Sequence, residues 1–203
     1  IARKSADVLR GGLHAAWRDR TGFMQTCDPG SAKVKRASME KPASPIRPTD
    51  DEARRLARGL LMQARTAALA TLTESGFPNA TRIAFLDLNG AGLTFVSALS
   101  AHARALAADP RCALLVGDPP AKGDPLTGPR LSLRATARRV ARDSDDHAQL
   151  AGLWLETHPK ARLYAGFADF HFLRLDWRDA SLNGGFGKAY ELTPEDLAQC
   201  TAG

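Results

Sequence analysis

A chain of 203 residues, 44% hydrophobic and 25% charged, holds material for one domain with a sizeable core and is neither fibrous nor disordered in composition. Its net charge of +6 sits at the start: residues 1–38 carry eight Lys/Arg against three Asp/Glu, and the rest twenty against nineteen. The remainder is therefore nearly neutral, without the basic face of a nucleic-acid binder, and no apolar run approaches the roughly 18 residues of a membrane span.

Residues 1–48 lack hydrophobic periodicity and end in Lys41-Pro42-Ala43-Ser44-Pro45-Ile46-Arg47-Pro48. They read as a disordered, basic, Pro-rich extension, with Met39 a candidate start and a nucleic-acid-binding arm the alternative. No secretory pattern precedes the domain. Cys27, Cys112 and Cys200 are odd in number and far apart, matching neither a disulfide framework nor a metal pattern. A cytoplasmic protein is expected.

The domain is expected over residues 49–199. Thr49-Asp50-Asp51-Glu52 resembles a capping box, and Ala53, Leu56, Ala57, Leu60, Leu61 and Ala64 follow at helical spacing to about Arg65. Strands are expected over Ala67–Thr73, Ala80–Leu88 and Leu93–Ser97, separated by turns at Gly76 and at Asn89–Gly92. Alternation along the second strand puts Arg82 opposite its apolar neighbours. A short helix over Ala101–Ala108 stops at Asp109-Pro110, and Cys112–Val116 reads as a strand. Asp118–Pro129, with four prolines and two glycines, must be a loop. A long strand over Arg130–Arg142, helices over Asp143–Glu156 and His158–Tyr164, strands over Phe170–Trp177 and Ser181–Leu192, and a terminal helix over Thr193–Gln199 complete the set. Six or seven short strands joined by hairpins and short helices predict a mainly β barrel or sandwich with flanking helices.

No Walker loop, HExxH or GxSxG is present. The GGxG in Asn183-Gly184-Gly185-Phe186-Gly187 lies late, whereas a dinucleotide loop opens a helix after an early strand. The five histidines, at 14, 102, 147, 158 and 171, form no ligand pairs, so no metal site is expected. One constellation can hold an anion. Ser97 ends a strand, and Ser100 and His102 open the following helix, where hydroxyls and free N–H groups stabilise negative charge. Arg82 from a neighbouring strand could add its bidentate fork. The plain alternative is an N-cap serine and a surface arginine.

Several segments together resemble a known family: Arg65-Thr66-Ala67-Ala68-Leu69-Ala70-Thr71-Leu72, Gly76-Phe77-Pro78, Thr81-Arg82-Ile83-Ala84-Phe85-Leu86, Phe95-Val96-Ser97 with Ser100, and Asp109-Pro110-Arg111. They are similar to the pyridoxamine 5'-phosphate oxidase-related FMN-binding split barrel, a Greek-key fold. Lys122-Gly123-Asp124-Pro125-Leu126, Pro129-Arg130-Leu131, His158-Pro159-Lys160-Ala161 and Asn183–Gly187 resemble its HugZ-type haem-utilisation branch.

The resemblance implies a homodimer with FMN in clefts between subunits. Arg82 and the backbone of Ile83 and Ala84 would contact flavin, and Ser97, Ser100 and His102 would hold its phosphate. Arg130 would approach from the fifth strand, with Asn183, Gly184 and Gly185 (and Gly187 nearby) at the cleft. Two positions depart from the oxidases: Asp87 stands where they carry Lys, and Ala101-His102 where they carry Arg-Lys. Pyridoxamine phosphate oxidation is therefore not expected. The expected function is an FMN-binding oxidoreductase acting on an unidentified small substrate, with no catalytic acid or base assigned. The alternative is a haem-binding, HugZ-like module with or without flavin, His158 or His171 being its axial candidates.

Overall fold

The computed structural model describes residues 46–199, apart from Asn89 and Phe186. Met39 and almost all of the N-terminal extension lie outside them. Ile46–Arg47 (β1), expected within that extension, instead pair in parallel with Ala189 and Tyr190.

Helix α1 (Asp51–Gln63) begins one residue later than a Thr49 cap would place it. The Asp50 carboxylate accepts the Ala53 N–H at 2.8 Å, while the Thr49 hydroxyl donates to Glu191 O. Asp is as good an N-cap as Thr, and the tertiary contact of Thr49 decides between them. The strands that follow are β2 (Thr66–Leu72), β3 (Pro78–Ala84), β4 (Leu86–Leu88) and β5 (Ala91–Ser97). Helix α2 (Ala101–Ala108) then leads to β6 (Arg111–Val116). Strand β7 (Arg130–Arg139) precedes helix α3 (Asp145–Thr157), and β8 (Phe170–Asn183), β9 (Ala189–Leu192) and α4 (Pro194–Gln199) close the chain. Pro159–Leu163, expected within an α-helix, forms a tighter 3₁₀ turn.

All nine strands belong to one sheet, ordered β1-β9-β8-β7-β6-β2-β3, with β5 pairing both β8 and β4. The count exceeds the expected six or seven for two reasons: β1 is added, and Ala80–Leu88 divides. Phe85 divides it. Its N–H donates to Arg65 O at 2.9 Å and its ring is fully buried, so β3 pairs with β2 before this point and β4 with β5 after it. The sheet curls without joining β3 to β5 as a ladder, which makes it a split barrel, mainly β with flanking helices.

The other correction concerns the last strands. Phe170–Asn183 is continuous, and the chain reverses at the following glycines, where Gly185 and Gly187 adopt φ of +112° and +69°. Leu173, Leu175 and Trp177 point inward, and then Ala180 and Leu182 do. The shift from odd to even numbering imitates a strand end. It comes instead from a β-bulge: Arg134 pairs with Asp179 and Ala135 with Trp177, leaving Arg178 as the extra residue.

The main core lies inside the curl, where Leu69, Phe85, Leu114, Leu131, Leu133 and Leu175 meet Ala57 and Leu61 of α1. A second cluster, Leu93, Phe95, Val140, Trp154, Ala161 and Phe172, docks α3 and the 3₁₀ turn outside β5 and β8. Gly92 lets two large rings pass. A Cβ there would lie 2.7 Å from both Phe85 and Trp177, so only glycine fits without moving buried aromatics.

Candidate functional site

The ten residues named from the sequence fall into two groups. Arg82, Ile83 and Ala84 end β3; Ser97 ends β5; Ser100 and His102 open α2. The Thr94 hydroxyl donates to Ala84 O at 2.8 Å and ties the first of these elements to the second. Arg130 opens β7 directly opposite Asn183 at the end of β8, with Gly184 and Gly185 just beyond. Ser97, however, pairs with Phe170 at the start of β8. Ser97 and Asn183 therefore sit at opposite ends of the 14-residue β8, whereas Arg82 is in register, through Ala68 and Leu115, with Ser132, two residues from Arg130.

In the first group, Arg82 is exposed and engages no partner among the described residues. Ile83 is only 5% exposed and belongs to the core, so only its backbone could serve a ligand. The Ser100 hydroxyl caps α2 by accepting from Ala103 N–H at 3.3 Å, donates to Ser97 O at 2.8 Å, and lies 3.1 Å from His102 Nε2. Burial lowers the His102 pKa from the ordinary histidine value and so disfavours its cationic form. The Ser97 hydroxyl accepts from Leu99 N–H and donates to the Asp169 carboxylate at 2.5 Å. Both serines are thus satisfied locally, and a carboxylate stands where phosphate was expected.

Asp87 stands apart from this group, in β4 opposite Gly92 near the start of β5, whereas Ser97 ends that strand. Asp87 Oδ1 is buried without a hydrogen-bond partner, and burial raises its pKa to about 6 against the nearby Arg58 charge, which lowers it. A folded pKa above the ordinary 3.8 means that the native state favours the protonated acid. This group's stability contribution is therefore fully present below about pH 4 and is lost as pH rises through about 6. Asp87→Asn is expected to raise stability above pH 6 by on the order of 1–2 kcal/mol and to flatten the profile below it, as read from urea unfolding across that range.

In the second group, Arg130 turns back into its own loop and donates to Leu126 O at 3.0 Å and Gly128 O at 3.4 Å. Asn183 Oδ1 accepts from Gly185 N–H at 3.0 Å, closing the turn rather than facing a cleft. Gly184 makes room for protein: a Cβ would lie 3.1 Å from Leu56 of α1. Neither haem-ligand candidate is free. His158 Nε2 lies 3.0 Å from Phe85 O and its ring packs on Trp154, while His171 is buried, with Nδ1 3.4 Å from Asp169 O. No metal-ligating cluster occurs among the described residues, and no described helix is long and apolar enough to cross a membrane.

The sequence reading missed a cavity of about 540 Å³ on the outer sheet face. Ala70 and Leu72 of β2, Pro78 of β3 and Ala113 of β6 supply apolar walls, and Arg111, Arg134 and Arg178 stand around them. Cys112 also lines it, its thiol pushed up to about 11 by burial and directed at Ala135 O, so that it acts as a neutral wall. Beside the cavity the same face carries Ala68, Ala80 and Leu115, the last 43% exposed. The available signal was this run of small apolar residues at outward positions, where a solvated strand would carry polar ones.

Comparison with known proteins places this architecture. The chain is 31% identical to the chloroplastic heme oxygenase HOZ of Arabidopsis thaliana over 116 residues, which make up 57% of this chain and 34% of that protein. It therefore spans about a third of that relative. It is 27% identical to the heme oxygenase HutZ of Vibrio cholerae over 66% of this chain and 77% of HutZ. A solved heme binding protein from Mycobacterium smegmatis superposes with a TM-score of 0.68 at 31% identity, covering 76% of this chain and 62% of that one. The family model described as pyridoxamine 5'-phosphate oxidase matches residues 51–183. With its split barrel and these relatives, the chain belongs to the pyridoxamine 5'-phosphate oxidase family, in its HugZ-type branch.

Proposed function

We propose that this protein binds haem as a homodimer and serves the haem-directed oxidoreductase chemistry for which its relatives are named. The observation that carries the reading is the outer-face cavity: apolar walls with arginines around them suit a flat apolar molecule bearing carboxylates. Haem has that chemistry and brings its own redox-active iron; the chain would supply walls, charge and exclusion of water. Homodimerisation is supported by the exposed apolar positions Ala68, Ala80 and Leu115 beside the cavity, on the outer face of β2, β3 and β6.

FMN is the second reading, favoured by one observation: the Arg82 side chain is exposed and makes no ion pair or hydrogen bond among the described residues, leaving its fork open to an anion. Asp169 beside Ser97, and burial of His102, which disfavours its cationic form, oppose a phosphate at the start of α2. Absorbance titrations with haemin and with FMN, each followed by gel filtration, separate the two. The expected result is a saturable Soret band that co-elutes with protein, and FMN that does not. Co-eluting flavin absorbance, lost in Arg82→Ala, with no haem-dependent Soret band would overturn the proposal in favour of the flavin reading.

A further inference from the structure

The three arginines of the cavity differ in what neutralises them. Arg111 is held by Asp109, with contacts down to 2.6 Å, and Arg134 is chelated by Asp179 at 2.5 and 2.7 Å. Arg178 makes no ion pair among the described residues. Its Nε donates to the Thr136 hydroxyl at 3.0 Å, a neutral acceptor. With Nε anchored, the two Nη groups remain as a fork, the geometry that grips a carboxylate with two parallel hydrogen bonds.

Position reinforces chemistry. Arg178 is the extra residue of the β-bulge opposite Arg134 and Ala135, and bulges commonly re-aim a side chain beside a functional site. A regular strand would pair this residue in the ladder; the bulge instead sets it at the cavity, whose apolar walls include Ala70, Leu72, Pro78 and Ala113 and whose one carboxylate, Asp179, is held by Arg134. The cavity thus presents an apolar surface and one cationic fork without a counter-ion.

We propose that Arg178 is the carboxylate-reading residue of this cavity and that it binds a propionate of haem while the ring edge lies on Ala70, Leu72 and Pro78. The assignment rests on the haem reading above. It makes Arg178 a specificity determinant for the acid form of the ligand, distinct from Arg134 and Arg111, which are occupied within the protein.

The test compares haemin with haemin dimethyl ester, in which both carboxylates are masked as neutral esters, by absorbance titration of the full chain. Wild type is expected to bind haemin at least about tenfold more tightly than the ester, the scale of one charge-assisted bond. Arg178→Gln is expected to lose that preference by weakening haemin alone, and Arg178→Lys to regain part of it. Arg138→Gln, an exposed arginine outside the cavity, is the control expected to change neither affinity. Equal thermal melts for the variants would show that folding is intact. If Arg178→Gln keeps the acid-over-ester preference, or weakens both ligands alike, this assignment falls while the haem reading stands. If wild type binds neither form, both fall.

Discussion

Trp154→Ala is expected to lower the free energy of unfolding by about 3–5 kcal/mol, the range for truncating a fully buried aromatic side chain. Trp154 is 1% exposed and is the fully buried residue of α3. Its ring lies 6.3 Å from Phe95, 5.9 Å from Phe172 and 4.3 Å from His158, centroid to centroid, and so carries the docking of α3 onto β5 and β8. Its indole Nε1 has no hydrogen-bond partner, so the ring contributes by packing alone. Trp154→Phe, which removes that orphan donor and keeps an aromatic face, is therefore expected to cost much less than alanine. Denaturant unfolding followed by near-ultraviolet dichroism reads both. Equal losses for Phe and Ala would mean that the Nε1 group has a role the packing account lacks.

The second large effect is on assembly. Leu115→Lys is expected to weaken the proposed homodimer by at least about 100-fold, as measured by sedimentation velocity. An unpaired ammonium buried at a protein interface costs several kcal/mol. In a single copy the position is 43% exposed, so the lysine can reach water and the monomer's melt should shift little. It lies in register with Ala68 and Ser132, beside the cavity rather than in it. A dimer of undiminished stability would remove the outer face of β2, β3 and β6 as the contact surface.

Much of the architecture was legible because period and punctuation agree. Gly76, Asp109-Pro110 and the Pro-rich loop before Arg130 bound elements whose alternation is clear, and Leu131, Leu133 and Ala135 announce the inner face of β7. Two boundaries failed for the same reason: a residue that breaks a pattern need not break a strand in the expected way. Phe85 continues the apolar run of β3 and makes, to Arg65 O, the last in-register bond towards β2, after which Leu86 pairs with β5 instead. Arg178 interrupts the alternation of β8 yet leaves the strand intact.

The site was less legible than the fold. Strand placement of Arg82, Ser97, Arg130 and Asn183 could be read, but not their hydrogen bonds. Arg130 and Asn183 satisfy loop carbonyls and a turn amide close to them in sequence, and Ser97 finds Asp169, 72 positions away. The cavity was the least legible, since its walls come from five neighbouring strands far apart in sequence and mix outward residues with the inward Thr71, Cys112 and Ala135.

The bulge at Arg178 also governs how this chain tolerates changes in length. Because β8 is laddered to β5, β7 and β9, a residue gained or lost within it would move every later side chain to the opposite face. Residue 178 is where one such gain has already been absorbed, with the inward positions passing from odd to even across it. An insertion elsewhere in this strand would need a second bulge to keep the later residues on their faces, whereas loss of this one residue would realign Asp179 and the positions after it with the earlier frame. The arginine that faces the cavity thus occupies the position where this strand carries one residue more than its partner, with the ladder closing on either side of it.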